Sequence, residues 1–484
     1  LALITQSALY VKEIMNKIFF RLFGLSLIAL SPNLHAATPT ETLSLAWAIP
    51  FVGILLSIAF CPLLMTNAWH HHQGKIAIFW TLLFIVPALI WLGLNSISHT
   101  LAHTLIAEYL PFVILISSLF IISGGIFIKG NLHGSPKLNT LLLAIGTLLA
   151  SFMGTTGAAM LMIRPLLRAN DNRKHNVHVV VFFIFLVANI GGSLTPLGDP
   201  PLFLGFLKGV PFLWTAEHIW LETLLTCGIL LTLFYFIDSH YYHNKEEEFA
   251  ASYDPTPDSK NINFLGSINF IWLLGAVGFV LLSGLWSAPV AFNILGTDVY
   301  WQNLVRDLGL ISMAILSWIT TSKEVREANE FNFAPVFEVA KLFFAIFITI
   351  SPVISMLQAG TAGPFAALIH FTHDANNNPI DARYFWSTGL LSGFLDNAPT
   401  YLVFFNLAGG DVLQLTGELA STLAAISAGA VFMGALSYIG NAPNFMVKSI
   451  AEHSGVKMPS FFGYIAWSCA ILIPIFILLT VLFF

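Results

Sequence analysis

Charge is what this chain has least of. Of its 484 residues only 9% are Asp, Glu, Lys or Arg and 57% are hydrophobic, against roughly a quarter charged and about half apolar in an average soluble domain. So little charge cannot cover a water-facing surface, and the chain reads as an integral membrane protein. Cysteine is scarce too: Cys61, Cys227 and Cys469 all lie in apolar runs, as small packing residues do, rather than a disulfide framework or a ligand set. Hydrolase signatures are missing. No HExxH or GxSxG stretch occurs, and Asp199 and Asp396 lack the signature of an aspartyl dyad, so neither an enzyme nor a cofactor is expected. The net charge of −5 is small for this length and points to no partner, nucleic acid included.

What the chain has instead is oil in measured lengths. Apolar runs of about 18 to 25 residues, enough to cross roughly 30 Å of hydrocarbon as helix, recur along it. The plain spans fall at 43–65, 76–94, 109–128, 218–237, 266–284, 304–320, 335–357 and 460–484. The bilayer offers the backbone no hydrogen-bond partners, so helix is the state expected for each.

From Met15 the sequence MNKIFFRLFGLSLIALSPNLHAA places Lys17 and Arg21 before a short apolar run and small residues at Ala36 and Ala37. That is a secretory signal pattern over 15–37, with residues 1–14 as an upstream extension. A mature chain starting outside near Thr38 then puts Lys75, Lys129, Lys137, Arg164, Arg168, Arg173 and Lys174 inside, followed by Lys245, Lys260, Lys323, Arg326, Lys448 and Lys457. Segments 95–108 and 285–303 fall outside and hold neither Lys nor Arg, as the positive-inside rule requires. Arg383 and Lys208 are the exceptions. Trp214, Trp220 and Trp301 suit an aromatic belt, and Glu108, Glu217 and Glu222 sit near span ends, where an interfacial place is expected.

This bookkeeping works only if 138–169 enters and leaves on one side. Its 32 residues give two half-helices about Gly154, Thr155, Thr156 and Gly157, hence a re-entrant hairpin. Segment 384–410 has the same anatomy, with its tip at Asp396–Pro399. After each hairpin comes a broken apolar segment: 177–208, interrupted by NIGGSLTPLGDPP, and 418–452, interrupted by SYIGNAPNFM. Such breaks free backbone groups that an ion or polar substrate can satisfy. Two halves therefore match, 38–238 and 266–484, joined by a polar linker at 239–265. Each crosses five times, and five is odd, so the second is inverted. The expected fold is an all-α polytopic membrane protein with about ten transmembrane helices and two re-entrant hairpins in two inverted repeats. Inverted repeats with discontinuous helices are the architecture of secondary transporters.

The stretches FMGTTGAAMLMIRP (152–165), ANIGGSLTPLGDPPLFLG (188–205), LDNAPTYLVFF (395–405) and YIGNAPNFMV (438–447) resemble the ion transporter superfamily. That superfamily includes sodium-coupled dicarboxylate carriers, arsenite permeases and NhaD-type sodium/proton antiporters. More narrowly, the chain is similar to the sodium:proton antiporter and citrate-transporter-like group. The resemblance implies a homodimer with a scaffold and an elevator-like transport domain, in a bacterial inner (cytoplasmic) membrane, with hairpin tips and helix breaks holding the coupling ion.

Dicarboxylate carriers of the superfamily have Ser-Asn-Thr triplets at both tips. Here the first tip is Gly-Thr-Thr-Gly and the second Asp-Asn-Ala-Pro-Thr. A buried aspartate beside citrate sets like charges together, so Asp396 argues against an anionic cargo. Asp199 argues the same way: an ionisable residue at membrane depth is a functional candidate by default. Such a carboxylate holds either a proton or a hard cation, Na⁺ or Li⁺, and competition couples the two. The plainer reading is that Asp199 and Asp396 cap the half-helices they precede. Oxygen donors expected around them are Asn189, Thr195, Asn397, Thr400, Asn441 and Asn444, with Thr155 and Thr156. Helix fastening and back-bonding are their bland alternatives. Sodium/proton exchange is the expected activity, and sodium-coupled citrate or other organic anion transport the alternative. Arg164 reads as a topological anchor near the inner surface. His70, His71 and His72 read as a solvated loop rather than a metal tract.

Overall fold

Helices that are apolar on every side belong either in a protein core or in lipid. In the computed structural model, which describes residues 43–130, 133–243 and 263–484, two such segments form the centre. Val177–Leu186 is followed by a short 3-10 turn, an irregular stretch and a second half-helix, Pro200–Leu207; Val179 through Ile190 is almost wholly buried. Ala420–Met433 is likewise followed by a 3-10 turn, an irregular stretch and Ala442–His453. These are the two expected broken helices. The expected signal at 15–37 and most of the linker lie outside the described residues.

A hairpin packs on each. The first is Pro136–Met153 and Thr155–Ala169, hinged at Gly154, whose φ of 80° suits glycine. Its first arm, at 18 residues, is longer than a half-helix and rises about 27 Å. The second is Asp381–Phe394 and Asn397–Leu407, beginning a few residues before the expected 384. Small residues let the second hairpin press against its broken helix: a Cβ on Gly429 would lie 2.6 Å from the Phe385 carbonyl, and one on Gly389 would meet Met433. The outgoing arms cross over, Thr155–Ala169 packing on Ala442–His453 and Asn397–Leu407 on Pro200–Leu207.

Around this core lie Ile49–Leu64, Leu110–Ser123, Trp220–Tyr241, Asn269–Leu285, Trp301–Thr320, Ala334–Gln358 and Phe461–Phe483. The chain is an all-helical polytopic membrane protein in design. Six of its described helices are long and apolar enough to cross a bilayer, and three more apolar ones are shorter. Several expectations need correcting. The span expected at 76–94 is one helix, Thr66–His103, bent at Gly93 (φ 77°) and continued by a π-helical turn, Thr104–Tyr109. His70–His72 lie within that helix rather than in a loop. Two small antiparallel pairs, Phe127–Lys129 with Asn263–Leu265 and Val290–Ile294 with Thr297–Tyr300, interrupt the all-helical pattern. Glu108 and Glu222 are buried rather than interfacial. Trp214 is buried too, stacked on His218 at 4.2 Å. Lys208, an exception to the charge rule, is paired with Glu108, which offsets its charge.

Candidate functional site

One hydroxyl in each irregular stretch ties it to the hairpin before it. Thr195 Oγ1 donates to the Ser151 carbonyl of the first hairpin and accepts from the Leu197 amide at 3.2 Å. In the second half Ser437 Oγ donates to the Gly393 carbonyl at 2.5 Å and accepts from the Ile439 amide at 3.1 Å. Both hydroxyl-to-carbonyl bonds span 44 residues. Close backbone approach then demands glycine: a Cβ on Gly198 would sit 2.2 Å from the Gly192 carbonyl oxygen, and one on Gly440 2.5 Å from that of Gly434. The Gly198 carbonyl, freed by the break, accepts from the Thr155 amide at 2.8 Å.

The residue after each glycine is extended and opens a half-helix with proline in its first turn. Asp199 has φ/ψ −141°/143° and Asn441 −152°/141°. The two meet: Asn441 Nδ2 donates to Asp199 Oδ1 at 3.0 Å. Thr155 Oγ1 donates to the same oxygen at 2.9 Å, and Asn397 Nδ2 donates to Asp199 Oδ2. Donors from both hairpin tips and the opposite broken helix thus converge on one carboxylate that is 2% exposed.

The capping alternative separates the two aspartates. Asp199 stands at an N-cap position but makes no side-chain cap bond; its carboxylate is committed to the three donors. Asp396 does cap its half-helix, accepting from the Ala398 amide at 3.1 Å, and lines the same cavity of about 60 Å³ as Asp199, Thr155 and Thr156. That volume holds a few water molecules or an ion with part of its shell. Among the described residues no Lys, Arg or His lines it. Asn397 Oδ1 is buried with no hydrogen-bond partner among the described residues, an oxygen of the kind a hard cation takes.

The remaining expected donors stand one step back. Asn189 Oδ1 accepts from Asn441 at 3.3 Å and its amide donates to Asn444 Oδ1 at 2.7 Å, which orients Asn441 toward Asp199. Asn444 donates to the Gly434 and Ser437 carbonyls, both at 2.9 Å. Thr400 Oγ1 back-bonds to the Asp396 carbonyl at 2.9 Å, so it braces its own helix. Ser151, Ser437, Gly198 and Gly440 were passed over by sequence reasoning. Only the matching LTPLGDPP and LSYIGNAP strings, read against each other, signal them.

Arg164 is placed as an anchor would be, at the far end of the first hairpin's outgoing arm, 3.0 Å from Glu330. Among the described residues no three His, Cys, Asp or Glu side chains group as a metal site. The three cysteines are free.

No curated protein matches the chain. A family model described as "Putative citrate transport" matches residues 40–484, nearly the whole length and every element of the site. The chain belongs to this citrate-transporter-like family of multi-pass membrane transporters.

Proposed function

We propose that the protein is a secondary active transporter exchanging Na⁺ or Li⁺ for protons by alternating access, with the cation and protons competing for Asp199 and Asp396. The observation that carries this reading is the cavity lined by two carboxylates and, among the described residues, no basic side chain. Like charges about 4 Å apart repel by about 4 kcal/mol at an effective dielectric constant near 20. A multivalent anion in that cavity meets this penalty more than once, whereas a cation or a proton relieves it. Thr155, Asn397 and Asn441 hold the carboxylate; Thr156, which lines the cavity, completes the candidate cation shell. Asn189, Thr195 and Asn444 position these groups, and Thr400 braces the half-helix that begins after Asp396. The matched 44-residue bonds support inverted repeats at 38–238 and 266–484. A homodimer in a bacterial cytoplasmic membrane, with a moving transport domain, belongs to the same proposal.

The family description favours a second reading, citrate carried together with the cation. Flux in sealed vesicles decides. Under the first reading an imposed pH gradient collapses when Na⁺ or Li⁺ is added, with no requirement for citrate. Uptake of labelled citrate with no such collapse overturns it in favour of the second.

A further inference from the structure

A second, larger cavity of about 1000 Å³ opens at the other end of the first hairpin's outgoing arm. Arg164 is nine residues beyond Thr155, about 14 Å along that helix at 1.5 Å per residue. Among the lining residues Arg164, Arg168, Arg173, Lys174 and Lys457 are basic and Asp171 and Glu330 acidic, five charges against two. The sign is opposite to that of the Asp199 cavity. Some of the positive charge is spent: Arg173 lies 2.7 Å from Asp238 and Arg164 Nη2 lies 3.0 Å from Glu330. Arg168 Nη2 donates to the Ile128 carbonyl at 2.7 Å. Two guanidinium nitrogens are left over, for Arg164 Nη1 and Arg168 Nε are buried without a hydrogen-bond partner among the described residues.

That arrangement is costly if nothing binds there. Arg164 and Arg168 are one helical turn apart, where like charges destabilise a helix, and a buried unpaired donor loses its hydration without return. An oxyanion in the cavity relieves the like-charge cost, because a guanidinium fork suits carboxylate and phosphate oxygens. Lys457 reaches the cavity from the end of the second broken helix and Lys174 from the loop after the hairpin, so a second anionic group on the same molecule has partners too.

We infer that this cavity is a binding site for a small molecule bearing two or more oxyanion groups, separate from the ion site and independent of which cargo that site carries. Its occupant ties the first hairpin to the end of the second broken helix. The test is calorimetric titration of the purified full chain in detergent with citrate and with inorganic pyrophosphate, and with cardiolipin against phosphatidylcholine in mixed micelles. Binding should weaken at least about tenfold in the double variant Arg164→Gln/Arg168→Gln, as expected for lost charge-assisted hydrogen bonds. Lys457→Gln, an exposed position that does not endanger folding, should weaken it as well. Asp199→Asn should leave it within about twofold, which separates this site from the first cavity. Response to cardiolipin alone, lost in the same variants, supports the site and names a lipid headgroup as its occupant. Affinities unchanged in both the arginine double variant and Lys457→Gln, or no binding of any probe, overturn the inference.

Discussion

The two helix breaks share a skeleton and differ in charge. At a constant offset of 242 residues, Thr195 corresponds to Ser437, Gly198 to Gly440 and Asp199 to Asn441, with the same hydroxyl-to-carbonyl bond and the same extended backbone before the half-helix. The hairpin tips correspond as well, Gly154–Thr155 to Asp396–Asn397, but there the carboxylate is on the other half. Backbone architecture is thus duplicated while each half supplies one acid, at a different place. The backbone geometry is common to both breaks; under the proposed function, the choice of what binds is made by the two acids set on it.

The largest expected effect tests that asymmetry directly. Asp199→Asn should reduce cation/proton exchange in vesicles to background with membrane insertion intact, whereas Asn441→Ala, losing one hydrogen bond to a charged group, should cost about tenfold. Equal losses from the two would mean that the halves are chemically interchangeable. Skeleton mutations should instead be symmetric. Gly198→Ala and Gly440→Ala each drive a methyl into a backbone carbonyl, and both should lower the yield of folded protein, by a stability loss of about 1–3 kcal/mol or more. Only one of them failing would break the correspondence. Asp396→Asn is subtler, because the amide oxygen can still accept from the Ala398 amide. Exchange should fall about tenfold, the worth of a charge-assisted contact, while the thermal unfolding midpoint stays put; a shifted midpoint would make Asp396 a cap and nothing more. Smallest in its effect on exchange, Ser437→Ala should cost about 1–3 kcal/mol of stability, two neutral hydrogen bonds, and leave the cation preference unchanged.

Much of this was legible in the sequence because glycine, proline and acid inside apolar runs are physically anomalous. Gly154 marks a hinge and Asp199–Pro200–Pro201 a helix start whether or not coordinates exist. Long-range pairing was not legible. Nothing in 104–109 announces a π-helical turn, and Glu108 looks like a span-end residue until Lys208, 100 residues away, is seen to pair with it. Thr400 and Asn397 sit three residues apart in one polar string, yet one braces its own helix and the other reaches Asp199. Helical phase decides this, and a short motif does not fix the phase. Most of the linker and the signal-like segment lie outside the described residues.

The crossing of the outgoing arms also sets an order of events during synthesis. Asp199 leaves the ribosome 242 residues before Asn441, which at roughly 5–20 residues per second is a wait of about 10–50 s. For most of that interval, until Asn397 emerges 198 residues after it, the acid lacks the amides that will clothe it, so something other than the finished pocket, water or a proton, must keep it company until translation catches up.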